Sequence, residues 1–214
     1  MAAVSETIVR EYFELHAVLV RQPRKYIAQT RREDDDIDFF VLNPHPQKRE
    51  AELPFVLTSP QLPFIQRAIV VVKGWHTETF SSAVLTHAPQ IFRFVETKVF
   101  QQAARAFGQE GAPLKILVVP ALPQAAQARE QSIALLRAKG IDAVIPFRTM
   151  LADLVDRVEV NRNYQKSDLL QIIRILKNYD FFKGAQLDLF KPKRKRKRSA
   201  GKSGSGTDAG KAST

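Results

Sequence analysis

At 214 residues and 44% hydrophobic composition, the chain can bury one substantial α/β core, or one core and an appendage. It has no cysteine, which excludes disulfides and thiolate metal sites, and no apolar run near the roughly 20 residues that span a bilayer. The +11 formal charge is concentrated: Lys191 to Thr214 holds nine Lys or Arg against one Asp, net +8, leaving +3 for residues 1–190.

The N-terminus, MAAVSETIVREYFE, has acids where a signal peptide would carry basic and then apolar residues, so a soluble, intracellular protein is expected. An amphipathic helix is predicted from about Ser5 to Val18, with Ile8, Tyr12, Leu15 and Leu19 on one stripe. Glu11 lies about 60° from Ile8 on that wheel and Glu14 about 120° away. Either glutamate taken alone reads first as a solvated helix-surface acid. Ala17 to Ala28 follows as a first strand, with Pro23 suited to an edge. Arg21, Arg24, Lys25, Arg31 and Arg32 cluster around it, facing either a phosphate backbone or solvent on an edge that resists aggregation.

The segment EDDDIDFFVLNPHP, Glu33 to Pro46, reads as a second strand with Asp36, Asp38, Phe40 and Leu42 on one face and Ile37, Phe39 and Val41 on the other. Asp38 is then a carboxylate at the point where the strand enters the core, suited to a raised pKa or a bound cation, or to capping the strand in an acidic turn. Pro44 to Pro63 is a Pro-rich connection. It leads to RAIVVVKGWHTETF, Arg67 to Phe80, whose run Ile69–Val72 has the continuous β-branched pattern of a strand covered on both faces. Val71 and Lys73 share a face. An acid at position 71 would pair with Lys73 to hold a divalent metal and polarise a phosphate, but the residue is valine.

Gly74 permits close backbone approach, and Trp75 offers a flat surface that could stack on a base or anchor packing. His76 and Glu78 could supply a ligand or base, or be merely solvated. A long helix is predicted from Pro89 to Phe107, ended by Gly108, then a strand from Lys115 to Pro120. A helix from Gln124 to Lys139, closed by Gly140, precedes a strand from Ile141 to Pro146. Helices from Thr149 to Arg157 and from Ser167, as N-cap, to Tyr179 complete the body. No internal repeat and no glycine-rich phosphate loop occurs. KPKRKRKR, Lys191 to Arg198, and the Gly/Ser/Ala/Lys segment after it read as a disordered tail. Lys193, Arg194, Lys195, Arg196, Lys197 and Arg198 would attract a polyphosphate backbone without sequence preference, serve as a nuclear import signal in a eukaryote, or simply solubilise the chain.

The α-β-β-β-α-β order from Val4 to Pro120 resembles the restriction-endonuclease-like core of the PD-(D/E)XK nuclease superfamily, with a C-terminal αβαα elaboration and the basic tail appended. Residues 1–190 would form the nuclease-like α/β domain and 191–214 the tail. The resemblance implies catalytic roles for Asp38, with Ile37 in the variable place before it, and for Lys73, with Glu11 or Glu14 as the helix acid. It implies Mg²⁺ as cofactor, held by Asp38 and Glu11, and nucleic acid, DNA first, as partner. Many proteins of this fold act as dimers, so a homodimer is within expectation. Val71 stands where the second carboxylate belongs, which implies a nucleic-acid-binding protein whose metal-dependent phosphodiester hydrolysis is weak or lost. The alternatives are an active Mg²⁺-dependent endonuclease with a migrated acid, Glu78 being nearest, and a non-enzymatic protein-interaction module. A cytoplasmic location is expected, nucleoid-associated, or nuclear in a eukaryote.

Overall fold

Alternate residues of four of the five strands belong to two different apolar layers, and that alternation organises the molecule. The computed structural model describes residues 2–23, 37–48, 52–108 and 111–182. Arg24, Lys25, Arg31, Arg32, Asp36 and the basic tail, including Lys193 to Arg198, lie outside them. Within them the chain runs α1 (Ala2–Leu15), β1 (Leu19–Arg21), β2 (Phe39–Leu42), a 3₁₀ helix (Ser59–Phe64), β3 (Arg67–Val72), α2 (Ser82–His87), a second 3₁₀ helix (Pro89–Val95), α3 (Thr97–Arg105), β4 (Leu114–Val119), α4 (Ala126–Ala138), β5 (Ala143–Pro146), α5 (Phe147–Arg157) and α6 (Asp168–Asn178).

The protein is mixed α/β, with a five-stranded mixed sheet in the order β1-β2-β3-β4-β5. β2 is antiparallel to β1 and β3, while β3, β4 and β5 are mutually parallel. Phe39, Val41, Ala68, Val70, Ile116, Val118, Ala143 and Ile145 pack on one side with α1, α5 and α6. Phe40, Ile69, Val71, Leu117, Val119 and Val144 pack on the other with α2, the second 3₁₀ helix, α3 and α4. Coverage of both faces explains why β3 and β4 read as unbroken apolar runs. Among the described residues no helix is long and apolar enough to cross a membrane.

Several elements differ from the sequence reading. The predicted helix over 89–107 breaks at Glu96, whose φ of −57° and ψ of 136° are not helical. A 3₁₀ turn eclipses residues three apart, and this brings Ile91 and Phe94 together into the core beside Phe92. α2, unforeseen, is under two turns long and buries only Leu85, so it has no apolar period to detect; its signal is the N-cap Ser81, whose hydroxyl accepts from the Val84 N–H at 3.3 Å. Ile37 joins the layer of Phe40 rather than that of Phe39 and Val41, because regular alternation starts only at Phe39, where β2 begins. β1 spans three described residues, and Leu19 is exposed within it rather than continuing the stripe of α1.

The Pro-rich connection does more than link strands. The Leu57 N–H donates to the Val144 carbonyl at 2.8 Å, and the Val144 N–H donates to the Phe55 carbonyl at 2.8 Å. Residues 55–57 thereby cover the outer edge of β5 and satisfy backbone groups that would otherwise invite another strand.

Candidate functional site

Strand directions bring the relevant ends together. Because β2 runs against its neighbours, its start lies at the same sheet edge as the ends of β1, β3, β4 and β5. In open α/β sheets the crevice outside the carboxyl ends of parallel strands is the usual ligand position.

Asp38 is buried immediately before β2. Its N–H donates to the Val70 carbonyl at 3.1 Å, and its Oδ2 accepts from the Val72 N–H at 2.7 Å. Lys73 is the next residue, and its N–H donates to the Val118 carbonyl at 3.0 Å. Asp38 and Lys73 are therefore brought to one edge on adjoining strands. Val71 is not at that edge: it is 1% exposed, in the apolar layer with Ile69, Leu117 and Val119.

The two helix acids are placed elsewhere. Ser5 Oγ is 2.9 Å from His76 Nε2, so the first turns of α1 stand over the end of β3. Phe13 and Val18, at the other end of the helix, line a crevice with Val41, Asn43, Ile65 and Gln66, at the opposite sheet edge. At 1.5 Å per residue, Glu11 is about 9 Å and Glu14 about 13 Å along the axis from Ser5. Glu11 is buried with its carboxylate 3.5 Å from the Arg10 guanidinium. The Glu14 carboxyl is raised above its ordinary value, first by partial desolvation and then by the Glu11 charge, with Arg10 opposing. The acid of α1 that stands near the Asp38 edge is Glu6, which accepts from Gln22 Nε2 just past β1. The helical wheel favoured Glu11 because it tests only proximity to the apolar stripe, not position along the axis.

The donors that the resemblance implies for Mg²⁺ are dispersed among the described residues. Asp38 already accepts a backbone bond, position 71 contributes a methyl-bearing side chain to the core, and Glu11 and Glu14 lie along the helix from the edge. Glu78 sits in the loop after β3, its N–H donating to the Trp75 carbonyl at 2.8 Å. Among the described residues, no group of three or more His, Asp or Glu side chains could hold a metal ion.

The loop after β3 is more ordered by contacts than a solvated loop would be. A Cβ on Gly74 would lie 3.1 Å from the Ser5 Cβ and closer still to its hydroxyl, so only glycine allows α1 and the chain to meet here. His76, which the sequence offered as a ligand or base or as a solvated loop residue, bonds Ser5 and sets its ring edge against Phe147 at a centroid distance of 4.6 Å. The sequence singled out His76 by its place after Lys73 but gave no signal for these contacts, since both partners are more than 70 residues away.

His76 also separates two cavities. The larger, about 1000 Å³, opens at the ends of β4 and β5 and is lined by Ser59, Pro120, Phe147, Arg148, Thr149 and Asp153 among others. α5 starts there directly from β5 with no side-chain cap, so the N–H groups of its first turn add positive potential to the wall. The smaller, about 460 Å³, is lined by Trp75, His76, Thr77, Glu78, Val84, His87 and Ala88. Comparison with protein-family models, with curated proteins and with solved structures finds no match to this chain.

Proposed function

We propose that the protein binds nucleic acid, DNA first, through a restriction-endonuclease-like domain whose metal-dependent phosphodiester hydrolysis is weak or lost. What carries this is the meeting of Asp38 and Lys73 at one sheet edge while position 71 holds a buried valine. The strand order, with β2 antiparallel and a helical crossover before β4, is consistent with that fold family. Lys73 supplies a cation to a phosphate at this edge, and the basic residues Lys193 to Arg198 add sequence-independent affinity.

The test is DNA binding by fluorescence anisotropy across a salt series, comparing the full chain, Lys73→Ala and a chain ending at Phe190. Truncation should weaken binding and lower the slope of log affinity against log salt by roughly 0.9 for each phosphate no longer neutralised. Lys73→Ala should weaken binding further in the truncated chain. Unchanged affinity and slope on truncation would rule out a role for the tail, and no binding by the full chain would rule out the function.

A further inference from the structure

We propose that the 460 Å³ cavity beside Trp75 receives an unpaired nucleobase stacked on the indole, so that the preferred ligand is single-stranded or locally opened nucleic acid. This rests on the nucleic-acid reading above and names the substrate form for the same site. Trp75 is the only tryptophan in the chain and follows Lys73 by two residues. A phosphate held at Lys73 and a base at Trp75 therefore fall within one short stretch of backbone.

The ring is supported but not enclosed. Phe80, fully buried, backs the indole at a centroid distance of 5.7 Å with the planes inclined at 39°. Yet Trp75 keeps 36% of its surface open, although the fully buried Phe80 and Leu85 show that an apolar layer lies within reach. The open part of the indole is therefore available to a flat ligand in the cavity that Trp75 lines.

The platform is also held by several contacts. Gly74 presses against Ser5, the Glu78 N–H closes a turn on the Trp75 carbonyl at 2.8 Å, and the Phe80 N–H ties the loop to Ala121 at 2.9 Å. Little order remains to be imposed when a base enters, which is the condition under which stacking contributes most to affinity.

The remaining walls suit the edge of a base. Thr77 and Glu78, both polar residues, are part of the lining. His87 Nδ1 lies 2.7 Å from the Ala83 carbonyl, which can only accept, so Nδ1 carries the proton and donates, leaving Nε2 of the neutral ring as an acceptor. The volume lies within the range of about 300 to 1,000 Å³ common to small-ligand sites. Stacking tolerates any base, since each has a π-face, so little sequence preference is expected.

The full chain should be titrated with an end-labelled oligothymidylate and with a duplex of equal length, reading label anisotropy and the emission of the single tryptophan together. The single strand should quench Trp75 in step with anisotropy, and the duplex should bind with much weaker quenching. Trp75→Leu should weaken single-strand binding on the order of tenfold or more while leaving duplex binding within about twofold, and Trp75→Phe, which keeps a ring, should fall between. Anisotropy without quenching, equal quenching by duplex, or wild-type affinity in Trp75→Leu overturns the stacking and leaves nucleic-acid binding intact. No anisotropy change with either ligand overturns both.

Discussion

The Asp38 carboxylate accepts the Val72 N–H at 2.7 Å from a buried position, so it fastens the start of β2 to the end of β3 and at the same time stands beside Lys73. The two roles separate by substitution. Asp38→Ala leaves a partly buried backbone donor without its acceptor and should cost about 1–3 kcal/mol in urea denaturation. Asp38→Asn keeps an acceptor oxygen and should cost less than about 1 kcal/mol while removing the charge. Equal stability of the alanine variant and the wild type would show that this bond does not hold the strand ends. The same residue shows why its surroundings were only half legible. A carboxylate entering an apolar run advertises itself, but the backbone atom it binds is 34 residues away. Glu6, by contrast, sits in a helix turn with no pattern to distinguish it, and its partner Gln22 follows β1.

Among the elements, helix ends carry consequences of their own. α1, α4 and α6 stop in the same way, with Ala17, Gly140 and Asp180 at positive φ. In α1 the Val18 N–H donates to the Phe13 carbonyl at 3.1 Å and the Ala17 N–H to the Glu14 carbonyl at 3.0 Å, the paired bonds of a Schellman ending. Ala17 at a φ of 56° carries a steric penalty that glycine would not, so Ala17→Gly should raise stability by about 0.5–1 kcal/mol; a drop in stability would mean that unfolded-state entropy dominates at this site.

α1 is fixed to α5 by His16, whose Nε2 lies 2.8 Å from Asp153 Oδ2, with Tyr12 against its ring and Arg157 on the same carboxylate. Burial lowers the His16 pKa, partly offset by the Asp153 hydrogen bond. The folded state therefore resists the proton that the unfolded chain takes up below its ordinary value of 6.5, and stability is full above that pH and falls as pH drops through it. Urea midpoints should decline from about pH 7.5 to about pH 5, and His16→Leu should flatten that decline; an unchanged slope would mean another group carries it.

Elements with a long apolar period or a clear cap were legible at this scale: α4 with Gly140, α6 with Ser167, and the β3 and β4 runs. The break at Glu96 was not, because the apolar spacing continues across it, nor was the strand-like cover at 55–57, which is set by its pairing with Val144 rather than by its own period.

At the scale of the whole molecule, strand order brings dispersed residues to one edge. Asp38 and Lys73 come from adjoining strands, Trp75 and His76 from the loop after β3, and Phe147 and Arg148 from the start of α5, where the two cavities flank the loop. The same sheet buries Val71 and leaves no described cluster of acids for a metal. On the proposed function, binding without cutting is the central expectation. Both are read on one gel, in which full-length protein is incubated with supercoiled plasmid in Mg²⁺ over a range of salt. The plasmid should be retarded, more strongly at low salt, and recovered supercoiled after the protein is removed. Relaxed or linear product from the wild type that disappears with Asp38→Asn would contradict the loss of hydrolysis, and an unretarded plasmid at low salt would contradict the binding of duplex DNA.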